Sequence, residues 1–159
     1  MRPPIFDPQP LPDREGFVRD ATDGQVYHRC STRVLYADTD RSSVVYHANY
    51  LRYYEQGRAS LMRAVGYPYA AVEKAGFIYP IIDMRVQFMT PLHYDDPVLI
   101  HTRPTERDRV RVRFDYVLTH GDSGALVCRG YTQHCAANPR GVPVAVDPET
   151  VAVWEDFPR

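Results

Sequence analysis

Apolar residues recur at every third or fourth position over residues 48–65, which predicts one long amphipathic helix. The apolar stripe consists of Tyr50, Tyr54, Leu61, Met62 and Val65. Gly57 falls on the same stripe, where its missing side chain would permit close approach to a sheet. Gly66 predicts the end of this helix, and residues 69–75 are expected to form a second, shorter one.

After residue 77 the pattern changes to runs rich in Ile, Val and Phe, several of which alternate with polar residues, and this predicts strands. The alternation is strict over residues 110–119, and the sequence GDSG at 121–124 is typical of a hairpin connection. An earlier run, residues 25–36, also alternates. Its predicted buried face consists of Val26, Cys30, Val34 and Tyr36. The later predicted strands are 77–89, 97–103, 110–119 and 125–137.

This order is one strand, one long helix and then four antiparallel strands joined by short turns. One strand cannot cover a helix, so we expect an α+β fold in which an antiparallel sheet wraps around one central helix. Such a sheet has open edges and an uncovered face. We therefore expect a homodimer or a homotetramer.

The two ends of the chain differ from the predicted domain at residues 23–140. Residues 1–22 carry five prolines, which predicts an extended N-terminal arm or a disordered tail. Residues 141–159 are expected to form a C-terminal tail that packs on the domain through Trp154 and Phe157.

Composition narrows the class of protein. A net charge of -1 gives no reason to expect nucleic acid as a partner, and no apolar run approaches the ~20 residues of a membrane span. The N-terminus lacks the apolar core of a signal peptide. The three cysteines are an odd number without paired metal spacing, so we expect them to be reduced, in a cytoplasmic protein.

Candidate chemistry lies where an apolar run meets the long helix. Asp38 and Asp40 stand in this turn, and the first N–H groups of a helix have no partner inside it and favour negative charge. One short segment could therefore supply a base or nucleophile together with a cradle for an oxyanion. For Asp38 the simpler expectation is that its carboxylate binds backbone N–H groups before the helix.

The segment YADTDRSSVVYHANYLRYYEQGR, residues 36–58, resembles the acyl-CoA thioesterases of the hotdog fold, in the branch of 4-hydroxybenzoyl-CoA thioesterase and YbgC-like proteins. The matching positions are Tyr36, Asp38, Thr39, Asp40, Val44, Val45, Tyr46, His47, Tyr50, Tyr54, Glu55 and Arg58. The resemblance continues through residues 84–88 and Pro91, and covers roughly residues 28–140. It implies a hotdog fold.

The resemblance also implies roles for individual residues. Asp40 matches the catalytic carboxylate, as nucleophile or general base, and the backbone N–H of His47 matches the group that polarises the thioester oxygen. The side chains of His47 and Tyr36 match positions implicated in catalysis. Arg107 and Arg109 match basic residues that contact the nucleotide part of coenzyme A. The family's active sites lie at a dimer interface, and neither a metal nor a cofactor is implied.

The chain departs from the family at Ser43, where the family has glycine. If the backbone there needs a positive φ, serine costs on the order of 1 kcal/mol; alternatively its hydroxyl adds a donor near the oxyanion. Tyr46 is expected to contribute to the substrate pocket. Arg41 could contact Asp40, and Glu55 is expected to pair with a basic neighbour such as Arg52 or Arg58.

Together these features predict an acyl-CoA thioesterase. One alternative is a thioesterase acting on acyl carrier protein, and another is a non-catalytic hotdog module that binds acyl thioesters or a protein partner. The chain carries no G-x-S-x-G elbow of α/β-hydrolases and no G-x-x-x-x-G-K phosphate loop. The acyl group remains open at this stage.

Overall fold

The computed structural model describes residues 6–159, which form one antiparallel seven-stranded sheet and three helices. The strands are β1 (Pro8–Pro10), β2 (Phe17–Asp20), β3 (Val26–Arg33), β4 (Ile81–Phe88), β5 (Pro97–Arg107), β6 (Arg111–His120) and β7 (Leu126–Cys135). The helices are α1 (Tyr50–Ala64), α2 (Tyr69–Lys74) and α3 (Pro148–Asp156). The strand order is β1-β2-β3-β5-β6-β7-β4. The α+β architecture, with a long helix against an antiparallel sheet, is confirmed.

Helix α1 lies close to the centre of the sheet because two glycines leave room for it. A Cβ atom at Gly57 would overlap the side chains of Thr102 and Ile100 on β5. The ring of Tyr54 stacks on Tyr116 of β6, with centroids 4.1 Å apart. A Cβ atom at Gly130 on β7 would come within 2.7 Å of the Tyr54 hydroxyl. The prediction that Gly57 permits close approach is confirmed.

The predicted sequential pairing of the four later strands is wrong for β4. This strand pairs with β7 at one edge of the sheet, whereas β5 pairs with β3. Residues 89–96 therefore cross three strand positions, roughly 14 Å, before β5 begins. On the way they meet the loop that precedes α1, where Val45 N–H donates to the carbonyl of Leu92 at 2.9 Å.

The N-terminal arm is extended where it is described, because β1 and β2 add to the sheet beyond β3. The buried carboxylate of Asp20 stabilises the pairing of β1 with β2. It accepts hydrogen bonds from the backbone N–H groups of Asp7 and Thr22, each at 3.0 Å. Residues 1–5 of the predicted arm lie outside the described residues.

The C-terminal tail contains a helix that the sequence pattern did not predict. Asp147 begins it, accepting from Thr150 N–H at 3.1 Å. Trp154 packs on Phe114 with ring centroids 5.0 Å apart, and Phe157 packs against Phe17. Both predicted anchors are therefore buried.

The prediction that Tyr36 shares the buried face of β3 is wrong. The strand ends at Arg33, and residues 36–38 form a tight helical turn that exposes 77% of Tyr36. Among the described helices, none has the length and apolar composition needed to cross a membrane.

Candidate active site

Asp40 lies in a tight turn closed by its own backbone. Its N–H donates to the carbonyl of Val44 at 3.0 Å, and its carbonyl accepts from Ser43 N–H at 3.0 Å. One carboxylate oxygen, Oδ1, accepts from Ser42 N–H at 2.7 Å. The other oxygen has no hydrogen-bond partner among residues 6–159, and the side chain is exposed. The turn thus fixes the backbone while leaving one carboxylate oxygen available to a ligand.

Ser43 adopts the left-handed backbone conformation, with φ of 63°. This conformation costs a residue with a side chain roughly 1–2 kcal/mol, whereas glycine adopts it without that cost. The following residues return to extended backbone, with short bridges between Thr39 and Val45 and between Val44 and His93. Serine is therefore tolerated in the turn at an energetic cost.

His47 begins the helical segment that leads into α1, as the first residue of a turn at His47–Asn49. Its backbone N–H donates to no acceptor within residues 6–159, as expected for the first N–H of a helical segment. The imidazole is exposed and lies against the half-exposed ring of Tyr46, with centroids 4.3 Å apart. The segment offers a free N–H donor seven residues after Asp40.

Asp38 has a structural role beside this segment. Its buried carboxylate accepts from Leu35 N–H at 2.9 Å, from the Tyr53 hydroxyl at 3.1 Å and from the Arg52 guanidinium at 3.2 Å. Burial, together with the nearby Asp38 carboxylate, raises the pKa of Tyr53. Asp38 thus ties the Asp40 loop to the first turns of α1, which agrees with its expected binding of backbone N–H groups.

The other predicted site residues divide into two groups. Tyr36 lies near the Asp40 loop and packs edge-on against Tyr94, with centroids 5.6 Å apart. Arg107 and Arg109 lie at the far end of β5, whose eleven residues span roughly 35 Å, and Arg107 pairs with Glu155 at 3.4 Å. One chain therefore brings together Tyr36, Asp40, Ser43, Tyr46 and His47 but not the two arginines.

Arg41 and Glu55 do not make the contacts expected of them. Arg41 forms no ion pair with Asp40. Arg52 binds Asp38 instead of Glu55, and Arg58 donates to the Tyr116 hydroxyl at 3.2 Å. Glu55 consequently has no ion pair within the described part of the chain.

A cavity of about 240 Å³ lies between α1, α2, α3 and the sheet. Its walls are mainly apolar and aromatic, and Glu55 and Arg58 contribute its charged groups. The lining includes Ala59, Met62, Tyr79, Phe114, His134 and Trp154. Within one chain this cavity lies towards the Ile81 end of β4, while Asp40 lies towards the Phe88 end.

A chain of hydrogen bonds runs along the sheet side of this cavity. Tyr116 and Thr132 share a hydrogen bond of 2.7 Å, and Thr132 contacts Nε2 of His134 at 2.8 Å. Nδ1 of His134 lies 2.8 Å from the carbonyl of Tyr79, so Nδ1 carries the proton and donates it. Burial lowers the pKa of His134 to about 4, and the imidazole is therefore neutral at pH 7.

Sequence reasoning missed this cavity because its residues come from five separate elements. The only local signal was the i, i+3 spacing of Glu55 and Arg58 on one helix face. The arginines that alternate along β6 are neutralised locally, because Arg111 pairs with Asp108 and Arg113 with Asp115, each at 2.8 Å.

Comparison with known proteins identifies the family of this chain. The sequence model of the thioesterase-like superfamily matches residues 34–153. A relative from Aquifex aeolicus, whose name specifies no more than an esterase, is 30% identical over 131 residues, which cover 82% of this chain and 98% of the relative. The acyl-CoA thioester hydrolase YbgC of Escherichia coli is 34% identical over 98 residues, 62% of this chain and 73% of that protein.

A solved structure gives the same result for the fold. The DHNA-CoA thioesterase of Staphylococcus aureus superposes with a TM-score of 0.77 at 26% identity, covering 82% of this chain and 89% of that one. Because the family match spans most of the chain and the sheet and helix superpose, this protein belongs to the thioesterase-like, hotdog-fold superfamily.

Proposed function

We propose that this protein hydrolyses acyl-CoA thioesters to a free acid and coenzyme A, with Asp40 as the catalytic carboxylate. The observation that carries the proposal is that one loop of the described chain holds both an Asp40 carboxylate oxygen without a hydrogen-bond partner and, seven residues later, the unpaired N–H of His47. Relatives named as hydrolases of acyl-CoA and of 1,4-dihydroxy-2-naphthoyl-CoA support the substrate class. The free cysteines fit the cytoplasm as its compartment.

The chemistry follows from where charge develops. Whether Asp40 attacks the thioester carbon itself or removes a proton from water that attacks it, negative charge moves on to the carbonyl oxygen. The backbone N–H of His47 and the positive end of the following helix stabilise this charge. The coenzyme A thiolate then leaves. We propose that the side chains of His47, Tyr36, Tyr46 and Ser43 contact the substrate around these two groups.

A homodimer completes the site in this proposal. Strand β4 is an edge strand with apolar side chains exposed to solvent, which is the kind of edge that pairs with a second copy. Antiparallel pairing places the Phe88 end of one β4 beside the Ile81 end of the other. The Asp40 loop of one subunit then lies at the same end of the assembly as Arg107, Arg109 and the cavity of its partner.

The partner's cavity is the acyl pocket in this arrangement. At about 240 Å³ it lies below the usual range for ligand pockets, which begins near 300 Å³, so we propose a short or single-ring acyl group. Arg107 and Arg109 of the same partner would contact the phosphates of coenzyme A. A carrier-protein thioester shares the pantetheine arm but lacks the nucleotide, so the two carriers can be distinguished.

The test is a thiol-release assay over a panel of acyl-CoA esters, together with calorimetric titration of a thioether analogue that cannot be hydrolysed. Release of thiol supports the enzyme. Binding of the analogue without release supports the non-catalytic module, and the absence of both contradicts the proposal. Replacing Arg107 and Arg109 by Gln should raise KM for acyl-CoA but not for acyl-pantetheine, whereas Arg140→Gln, on an exposed turn, should change neither.

A further inference from the structure

The cavity beside α1 contains a cation that has no counter-ion among residues 6–159. The half-buried side chain of Arg58 lines the cavity and forms no ion pair in this part of the chain. Its hydrogen bond to the Tyr116 hydroxyl, at 3.2 Å, uses Nη1. The edge of the guanidinium formed by Nε and Nη2 is therefore left without an acceptor in the described chain. A partly desolvated charge in this state is unfavourable unless a ligand supplies the opposite charge.

The hydrogen-bond chain along the sheet holds Arg58 in this position. Nδ1 of His134 carries the proton, so Nε2 is an acceptor and the Thr132 hydroxyl donates to it. The Thr132 oxygen therefore accepts from the Tyr116 hydroxyl, and the Tyr116 oxygen accepts from Arg58. Because each hydroxyl has its donor and acceptor assigned in this way, the chain anchors one end of the guanidinium at the sheet. The free edge remains available to the cavity.

The other polar groups near the cavity do not neutralise this cation. Glu55 also lines the cavity, but its side chain is exposed and forms no ion pair with Arg58. The buried carboxylate of Asp147 does not line the cavity, and it already accepts from the hydroxyls of Tyr67 and Tyr79. A ligand in the cavity therefore meets mainly apolar walls and one guanidinium edge.

We infer that this cavity takes an acyl group that ends in a second carboxylate, and that Arg58 recognises this carboxylate. The two parallel N–H groups of a guanidinium edge match the two oxygens of a carboxylate, and the methylene groups between the carboxylate and the thioester pack on the apolar walls. A cavity of about 240 Å³ admits a chain of a few carbons. The inference rests on the proposed function and narrows its substrate class to monothioesters of short dicarboxylic acids.

Pairs of substrates with equal shape test this recognition. Glutaryl-CoA and adipoyl-CoA end in a carboxylate, whereas 5-methylhexanoyl-CoA and 6-methylheptanoyl-CoA carry two methyl groups in place of its oxygens. For at least one of the two chain lengths, the kcat/KM of the parent protein should be about tenfold or more higher for the carboxylate ester than for its neutral counterpart. A smaller preference at both lengths, or the opposite one, overturns the inference.

The variant Arg58→Gln tests the assigned residue. It should lower kcat/KM for the carboxylate ester by about tenfold or more and change kcat/KM for the neutral ester by less than about threefold. Activity on the neutral ester shows that the site is still folded. The matched control is Arg63→Gln, because Arg63 is exposed on the same helix and lies outside the cavity, and this variant should keep the preference. A preference that survives Arg58→Gln contradicts the inference.

Binding without turnover separates this inference from the proposed function. Monomethyl glutarate carries one carboxylate, and dimethyl glutarate carries none. At millimolar concentration the first compound should shift the Nε–H NMR signal of Arg58 in the parent protein, and the second should not. This shift in a protein that releases thiol from no ester would count against the proposed function alone. No shift, or the same shift with both compounds, overturns the inference.

Discussion

The hydroxyl of Tyr53 donates a hydrogen bond of 3.1 Å to the buried carboxylate of Asp38, and so connects α1 to the loop that carries Asp40. The same carboxylate binds Leu35 N–H and Arg52. Asp38 thus fixes the backbone of the loop that carries Asp40 and His47, and under the proposed function it is a positioning residue.

We expect Asp38→Asn to lower the free energy of unfolding by about 1–3 kcal/mol, since three donors lose a charged acceptor. It should also lower kcat by about tenfold with a smaller change in KM, because the substituted side chain does not touch the substrate. Urea unfolding and steady-state kinetics measure the two effects. Tyr53→Phe removes one of the three donors and should cost less stability. An unchanged kcat in a destabilised Asp38→Asn protein would show that its role is structural only.

Gly57→Ala should destabilise the fold by about 2–3 kcal/mol, because the added methyl group meets Thr102 and Ile100 in a filled core. Gln56→Ala, one position away on the exposed side of α1, should remain within about 0.5 kcal/mol of the parent. Urea denaturation of both variants makes the comparison. Equal stabilities would mean that α1 does not lie as close to β5 as described.

Ser43→Gly should be more stable than Ser42→Gly by about 1 kcal/mol. Glycine relieves the strain of the positive φ at position 43, which offsets its entropic cost, whereas at position 42 only the cost remains. Thermal or urea unfolding of the pair gives the difference directly. Equal free energies of unfolding for the two variants would contradict the left-handed conformation at Ser43.

The helix and the strands could be predicted because each follows from a local periodicity. The stripe from Tyr50 to Val65 and the alternation over residues 110–119 both report one buried face. The position of β4 could not be predicted in this way. A strand that pairs with β7 after crossing from one side of the sheet to the other has the same local pattern as one that pairs with its neighbour in sequence.

The Asp40 segment was predictable because its candidate groups lie within twelve residues of chain, 36–47. The cavity and the role of Asp38 were not, since both depend on contacts between distant parts of the chain. Tyr79 and Asp147 show the difficulty: their hydrogen bond joins residues 68 positions apart and has no periodic signal. The prediction for Tyr36 is wrong because the alternating pattern continues to residue 36, whereas the strand itself ends at Arg33.

The free energy of unfolding should be lower at pH 5.0 than at pH 7.5. Burial lowers the pKa values of His134 and His101 to about 4, below the value of about 6.5 in an unfolded chain. As the pH falls below 6.5, the unfolded state therefore binds protons that the folded state does not. At pH 5.0 each histidine should therefore lower the free energy of unfolding by about 2 kcal/mol.

Urea unfolding at the two pH values measures this loss. His134→Gln keeps a hydrogen-bonding side chain but cannot titrate, so its own stability should depend less on pH than that of the parent. A parent protein that is equally stable at pH 7.5 and 5.0 would contradict the buried, neutral state of both histidines.

The rate of coenzyme A release by Asp40→Asn, with the best acyl-CoA of the panel, tests the central claim most directly. Asn keeps the size of the side chain and can still accept from Ser42 N–H, but it is neither a base nor a nucleophile. The matched control is Asp23→Asn, because Asp23 accepts from Gln25 N–H at 2.8 Å in the same kind of turn. Asp40→Asn should lower kcat by about 100-fold or more in a folded dimer, while Asp23→Asn stays near the parent. An Asp40→Asn protein that retains more than about one tenth of the parent kcat would contradict the assignment of Asp40 as the catalytic carboxylate.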